Sequence, residues 1–156
     1  MLADREIILG CKEGKEKAYK ALVDQYAPRL MATALRYLPD YASAEDAVQE
    51  SLIRVFQSIH KYDHKDQLLP WLRKITVNQC LKVLRNKVIW LHNDDIVETA
   101  ASIEMGEFHH LEDNMTMALL QLPEAYRLVF NLSVAEGYAH AEIAEMRVLA
   151  RIAAVR

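Results

Sequence analysis

The chain has 156 residues, of which 52% are apolar and 26% charged, with a formal net charge of −3. That suits one compact domain or two small ones and excludes a disordered chain, while four glycines and four prolines disfavour a turn-rich sheet protein. No apolar run approaches the ~18 residues of a bilayer span, no secretory signal opens the chain, and Cys11 and Cys80 are isolated, so the expectation is a cytoplasmic protein with reduced thiols and no membrane insertion.

Residues 4–11 predict a short helix stopped near Gly14, and residues 15–38 a longer one. Leu22, Tyr26, Leu30, Ala34 and Leu38 recur every four residues, the spacing of a buried helical stripe. Pro28 falls inside it and predicts a kink. After a turn at 39–42, Ser43-Ala44-Glu45-Asp46 fits the Ser-x-x-acid helix start. Val48, Leu52, Val55, Phe56 and Ile59 then form a core stripe, with Asp46, Gln49, Glu50, Arg54 and Gln57 on the other side. A polar segment, 60–69, leads to Pro70, which fits the first position of a helix over 70–85. Residues 91–112 are acidic and weakly periodic and read as a linker. Asn114 caps a helix to Gln121, and Pro123 opens another to about Ala135, with Gly137 as its stop. A last helix runs from about Ala139. The expected fold class is all-α, with an N-terminal bundle over 1–90, a linker over 91–112 and a small C-terminal helical unit over 113–156.

Charge is unevenly spread. Residues 1–90 hold 15 Lys/Arg against 11 Asp/Glu, and residues 91–156 hold 4 against 11, which suggests different partners for the two parts. The basic excess is concentrated in 71–87, with five basic residues and no acid. Lys74, Asn78, Lys82 and Arg85 fall on one stripe of that helix, opposite Val77, Cys80, Leu81, Leu84 and Val88. A single-signed stripe neutralises a phosphate backbone, Asn reads a base edge, and Trp71 offers a stacking surface, so nucleic acid outweighs a merely solvated face. Asp46 and Glu50, one helical turn apart, fit partner docking better than acid–base catalysis. His109-His110 and the pair His60 and His64 lack zinc-ligand spacing, so neither a metal nor a cofactor is expected, and nothing marks an enzyme.

Together these segments resemble the extracytoplasmic-function sigma factors of the bacterial sigma-70 family. GCKEGKEKAYKALVDQYAPRLMATALRYL looks like the first helices of the promoter-melting domain, sigma region 2. SAEDAVQESLIRVFQSIHKY is similar to its polymerase-docking helix, with the characteristic D-x-x-Q-E core. WLRKITVNQCLKVLR is similar to its minus-ten-recognition helix, and LPEAYRLVFNLSVAEGYAHAEIAEM to the start of region 4, the second DNA-binding domain. The resemblance implies that Asp46, Gln49, Glu50 and Arg54 contact core RNA polymerase. It implies that the 60–69 loop, with His60, Lys61, His64 and Lys65, holds a base flipped from the minus-ten element. Trp71, Arg73, Lys74, Asn78, Lys82 and Arg85 would track that element, and the acidic linker would thread towards the RNA exit path. The implied partners are core RNA polymerase, promoter DNA and an anti-sigma factor, with a monomer as the default state.

The sequence departs from the family pattern in two places. Asp66-Gln67-Leu68 stands where the family has a Gly-Ser-Phe-like stretch. After Met146 the chain reads RVLARIAAVR, with no glycine for the tight turn of a helix-turn-helix. The expectation is a truncated or frameshifted, incomplete region 4, with impaired minus-thirty-five recognition. The rival readings are a defective sigma that occupies polymerase or an anti-sigma partner, and a simple DNA-binding regulator.

Overall fold

A computed structural model describes residues 1–63, 67–91 and 114–146, and every element among them is helical. Four helices form the N-terminal bundle: α1 (Asp4–Lys12), α2 (Glu16–Tyr37), α3 (Tyr41–Ser58), ending in a 3-10 turn (Ile59–Lys61), and α4 (Leu68–Leu91). A smaller unit follows, with α5 (Asn114–Leu120), α6 (Glu124–Phe130), a π-helical turn (Asn131–Ala135) and α7 (His140–Glu145).

The bundle forms because the apolar residues recur at helical spacing. Leu22, Tyr26, Leu30, Ala34 and Leu38 are all buried, and the helix runs unbroken through Pro28. Val48, Val55 and Ile59 are buried and Leu52 and Phe56 partly so, giving α3 its inward face. Val77, Cys80, Leu81 and Leu84 do the same for α4, whereas the Val88 side chain lies outside the described residues. Both thiols are buried and unpaired, and burial pushes Cys80 up to about 12. They act as small apolar core residues.

Helix ends differ from the sequence reading in several places, and α4 runs to Leu91, six residues past its expected end at Arg85. The α3 cap is Asp40, whose carboxylate accepts the backbone N–H of Ser43 at 2.9 Å, so Ser43 is the third residue of the helix rather than its start. Helix α4 begins at Leu68, two residues before Pro70. Proline remains acceptable there because first-turn N–H groups have no partner inside the helix. The expected turns at Gly14 and Gly137 are present, at φ +73° and +76°. The expected linker from residue 92 onward and everything after Met146, including the question of an incomplete helix-turn-helix, lie outside the described residues.

Gly10 serves a different purpose. It is buried where α1 crosses α2, and a Cβ there would stand 2.5 Å from the Cβ of Ala18. The Tyr26 hydroxyl donates to the Asp4 carboxylate across the same crossing, and burial together with that bond pushes the phenol up to about 12. Lys12 at the end of α1 donates from Nζ to the Tyr62 carbonyl at 2.8 Å, tying α1 to the segment after α3.

The second unit packs on the bundle. Leu128, Leu132 and Ile143 join the same apolar cluster, and Asn131 donates from Nδ2 to the Arg36 carbonyl at 2.8 Å. The π turn is closed by the Glu136 N–H on the Asn131 carbonyl at 3.1 Å. Its end places the Glu136 carboxylate 3.1 Å from Arg73 and 3.7 Å from Arg36.

Gly10→Ala is expected to destabilise the bundle by about 1–3 kcal/mol through this clash, seen as a lowered denaturation midpoint. Glu136→Ala is expected to loosen only the second unit, by about 1–2 kcal/mol because the pair is partly exposed. Hydrogen exchange should then speed up in α6 and α7 and stay unchanged in α2 and α3.

Candidate functional site

Helix α3 is two-faced because its polar residues fall between the turns of its apolar stripe. Glu45, Asp46, Gln49, Glu50 and Ile53 are exposed, while Ala44, Ala47, Val48, Ser51 and Val55 face inward. Ser51 is buried without penalty because its hydroxyl donates to the Ala47 carbonyl at 2.5 Å. Ile53 is 50% exposed and lies among Asp46, Gln49 and Glu50 at helical spacing. An apolar centre ringed by polar groups is a common arrangement in protein interfaces. Sequence reasoning missed Ile53 because it is apolar yet off the buried stripe.

Arg54 stands at the edge of that face. At 100° per residue it is about 40° round the helix from Glu50 and about 140° from Gln49, and it also lines the groove on the side where α4 packs. There Arg54, Lys61, Asn78, Lys82 and Arg85 line one groove of about 560 Å³, with Gln79 also in its wall. The sequence placed Arg54 with the docking residues and the others with DNA, and the structure brings all five together. Asn78 and Lys82 are exposed and Arg85 is half-buried. His60 is exposed one residue before Lys61.

The predicted α4 stripe divides. Lys74 does not face that groove but lines a second one, of about 640 Å³, together with Arg73, Gln67, Tyr138, Glu136 and Glu142. Arg73, expected to meet DNA, is bonded to Glu136 instead. Trp71 is half-buried, its ring 4.6 Å from that of Tyr62 and tilted by 34°, so part of its surface is occupied by another aromatic side chain. A pairing between a helix and the segment before it leaves no periodic trace in sequence. His64 and Lys65 lie outside the described residues.

Gln79 was also missed in the sequence. Only 5% of it is exposed, and its Nε2 has no hydrogen-bond partner. The available signal was a glutamine flanked by the apolar Val77, Cys80 and Leu81. Among the described residues no three His, Cys, Asp or Glu side chains stand close enough to hold a metal ion, and no helix is long and apolar enough to cross a membrane.

Comparison with known proteins agrees with this architecture. The Sigma-70 region 2 family matches residues 22–88 and the Sigma-70, region 4 family matches residues 112–147. The two matched segments span about two thirds of the chain and fall on the bundle and on the second unit. The chain is 27% identical over 139 residues to the RNA polymerase sigma factor CarQ of Myxococcus xanthus, a match that covers 87% of this chain and 80% of that protein. It is 27% identical over 161 residues to the ECF RNA polymerase sigma-E factor of Haemophilus influenzae, covering 93% and 84%. It is 23% identical over 149 residues to the ECF RNA polymerase sigma factor SigW of Bacillus subtilis, covering 86% and 80%. Two sigma-70 regions in the family order, on an all-helical chain, leave one assignment: the chain belongs to the sigma-70 family of RNA polymerase sigma factors, in its extracytoplasmic-function group.

Proposed function

We propose that this sigma factor, which directs core RNA polymerase to promoters and catalyses no step itself, divides its work between the outer face of α3 and the basic face of α4. Residues 1–90 act as region 2, residues 91–112 as the linker and residues 113–156 as a partial region 4. Asp46, Gln49 and Glu50 dock on polymerase around Ile53. Asn78, Lys82 and Arg85, with Lys61 and His60, meet the minus-ten element. The 60–69 loop, His64 and Lys65 included, receives an unstacked base beside Trp71.

One observation carries the reading. The acidic and amide face of α3 and the acid-free face of α4 are held on one packed bundle, and Asp46, Gln49 and Glu50 are exposed without lining the groove that holds Asn78, Lys82 and Arg85. A factor that links an enzyme to DNA needs that separation. Docking through a face that also carried the DNA-binding cations would make polymerase and promoter compete. Arg73 is engaged by Glu136 in this arrangement, so its share in promoter contact follows movement of the second unit off α4. In this reading the chain works as a monomer in the cytoplasm, where polymerase and DNA are, and an anti-sigma factor acts by covering the same exposed faces.

Co-migration with core RNA polymerase on gel filtration tests the docking half. Gln49→Ala/Glu50→Ala is expected to weaken binding at least roughly tenfold, and Ile53→Asp to do the same by placing a charge in the apolar centre. A well-folded double variant that co-migrates like the unaltered chain would show that α3 is not the docking face. Lys82→Ala/Arg85→Ala is expected to retain polymerase and to lose promoter opening, read by permanganate footprinting of unpaired thymines.

A further inference from the structure

The flank of α4 that carries Arg73 and Lys74 meets the second unit. These two residues on one side, and Glu136, Tyr138 and Glu142 on the other, line the cavity of about 640 Å³ between the units. Every ion pair between described residues of the two units ends on one group, the Glu136 carboxylate, with Arg73 at 3.1 Å and Arg36 at 3.7 Å.

That contact is incompletely made. Arg73 donates from Nη2 to Glu136 Oε1, while its Nε is buried without a partner. A guanidinium is a planar fork suited to two oxygens of one phosphate or carboxylate, and Glu136 engages only one arm of it. Tyr37 Oη and Asn131 Oδ1 are also buried without partners, next to Arg36 in the chain and on the side chain that reaches the Arg36 carbonyl. Closing the seam therefore leaves three polar atoms desolvated and unbonded, and parting it returns them to water. Leu128, Leu132 and Ile143 hold the second unit in place while no competitor is present.

We infer that the second unit is an autoinhibitory cover on α4, that Glu136 is its latch, and that a phosphate-bearing strand competes with Glu136 for Arg73 and so releases the cover. The inference rests on the functional reading above and adds to it a closed free chain whose affinity for nucleic acid is set by how rarely it opens. One guanidinium cannot hold the carboxylate and a phosphate in the same place. A ligand that needs the open form binds more weakly in proportion to the fraction of chains that are open. By reciprocity, binding that ligand must open the cover.

The test uses the full free chain, with fluorescence anisotropy of a labelled mixed-sequence single-stranded DNA and hydrogen exchange in α6 and α7. Glu136→Gln keeps the side chain's size and removes its charge. Glu145→Gln removes the same charge from an exposed position of the same unit that forms no ion pair, and so controls for net charge. Glu136→Gln is expected to bind the strand roughly fivefold more tightly than the unaltered chain, and Glu145→Gln less than about twofold. In an Arg73→Ala background the gain from Glu136→Gln should disappear, because the latch is already cut. Adding the strand to the unaltered chain should speed exchange in α6 and α7 and leave α2 and α3 as they were.

Equal gains from Glu136→Gln and Glu145→Gln overturn the inference, as does no gain from Glu136→Gln or a gain that survives Arg73→Ala. Absence of strand binding by the free chain and by the reconstituted holoenzyme alike is a failure of the functional reading. The latch is then read by exchange alone, with heparin as the anion: faster exchange in α6 and α7 supports it, and unchanged exchange overturns it.

Discussion

The packing of α3 against α4 is the constraint on which the rest depends. Each helix has one apolar stripe, and burying both against α2 and against each other uses up those faces. What remains outward is set by rotation about each helix axis. On α3 that leaves Asp46, Gln49, Glu50 and Ile53 on one side and Arg54 at the seam. On α4 it leaves Asn78, Lys82 and Arg85 on the groove shared with α3, and Arg73 and Lys74 on the groove shared with the second unit. The basic groove is therefore a consequence of two core stripes meeting, and it exists only while they are packed.

A second level of organisation joins the smaller unit to this bundle. Its apolar contribution comes from Leu128, Leu132 and Ile143, but the contact is also strongly polar. Arg36 and Arg73 share Glu136, and Asn131 reaches the Arg36 carbonyl. Tyr37 Oη, Arg73 Nε and Asn131 Oδ1 are buried here without partners, and burial, chiefly, with Glu136 nearby, raises the Tyr37 phenol far above its usual range. An apolar core gains from every buried group, whereas an incompletely satisfied polar contact returns much of its gain as desolvation. The bundle is thus the firm part of the molecule and the inter-unit contact the weaker one. The weaker contact also holds one of the arginines assigned to promoter DNA.

Much of the fold was legible in particular residues. The four-residue recurrence from Leu22 to Leu38 marked α2, and Gly14 and Gly137 stand where the turns need positive φ. The helix starts were less legible. A Ser-x-x-acid pattern was present at Ser43, but Asp40 lies three residues earlier and caps with a carboxylate, so α3 begins before the pattern does. The π turn at Asn131–Ala135 gave no warning either, because one extra residue per turn alters a hydrogen-bond register and leaves composition unchanged.

Among the functional residues the division is equally physical. Sequence by itself determined the residue types and their helical phase: a D-x-x-Q-E face on one helix, and five basic residues without an acid on the next. Both are local properties of a 3.6-residue period, readable wherever the chain is helical. Only the tertiary structure decided the company those residues keep. It set Arg54 beside Lys82 instead of Gln49, turned Trp71 onto Tyr62, gave Arg73 to a glutamate 63 residues away and left Gln79 buried with a free donor. Periodicity tells which way a side chain leaves its own helix, but neighbours from other segments are chosen by how the helices pack, and one helix's sequence carries no record of that choice.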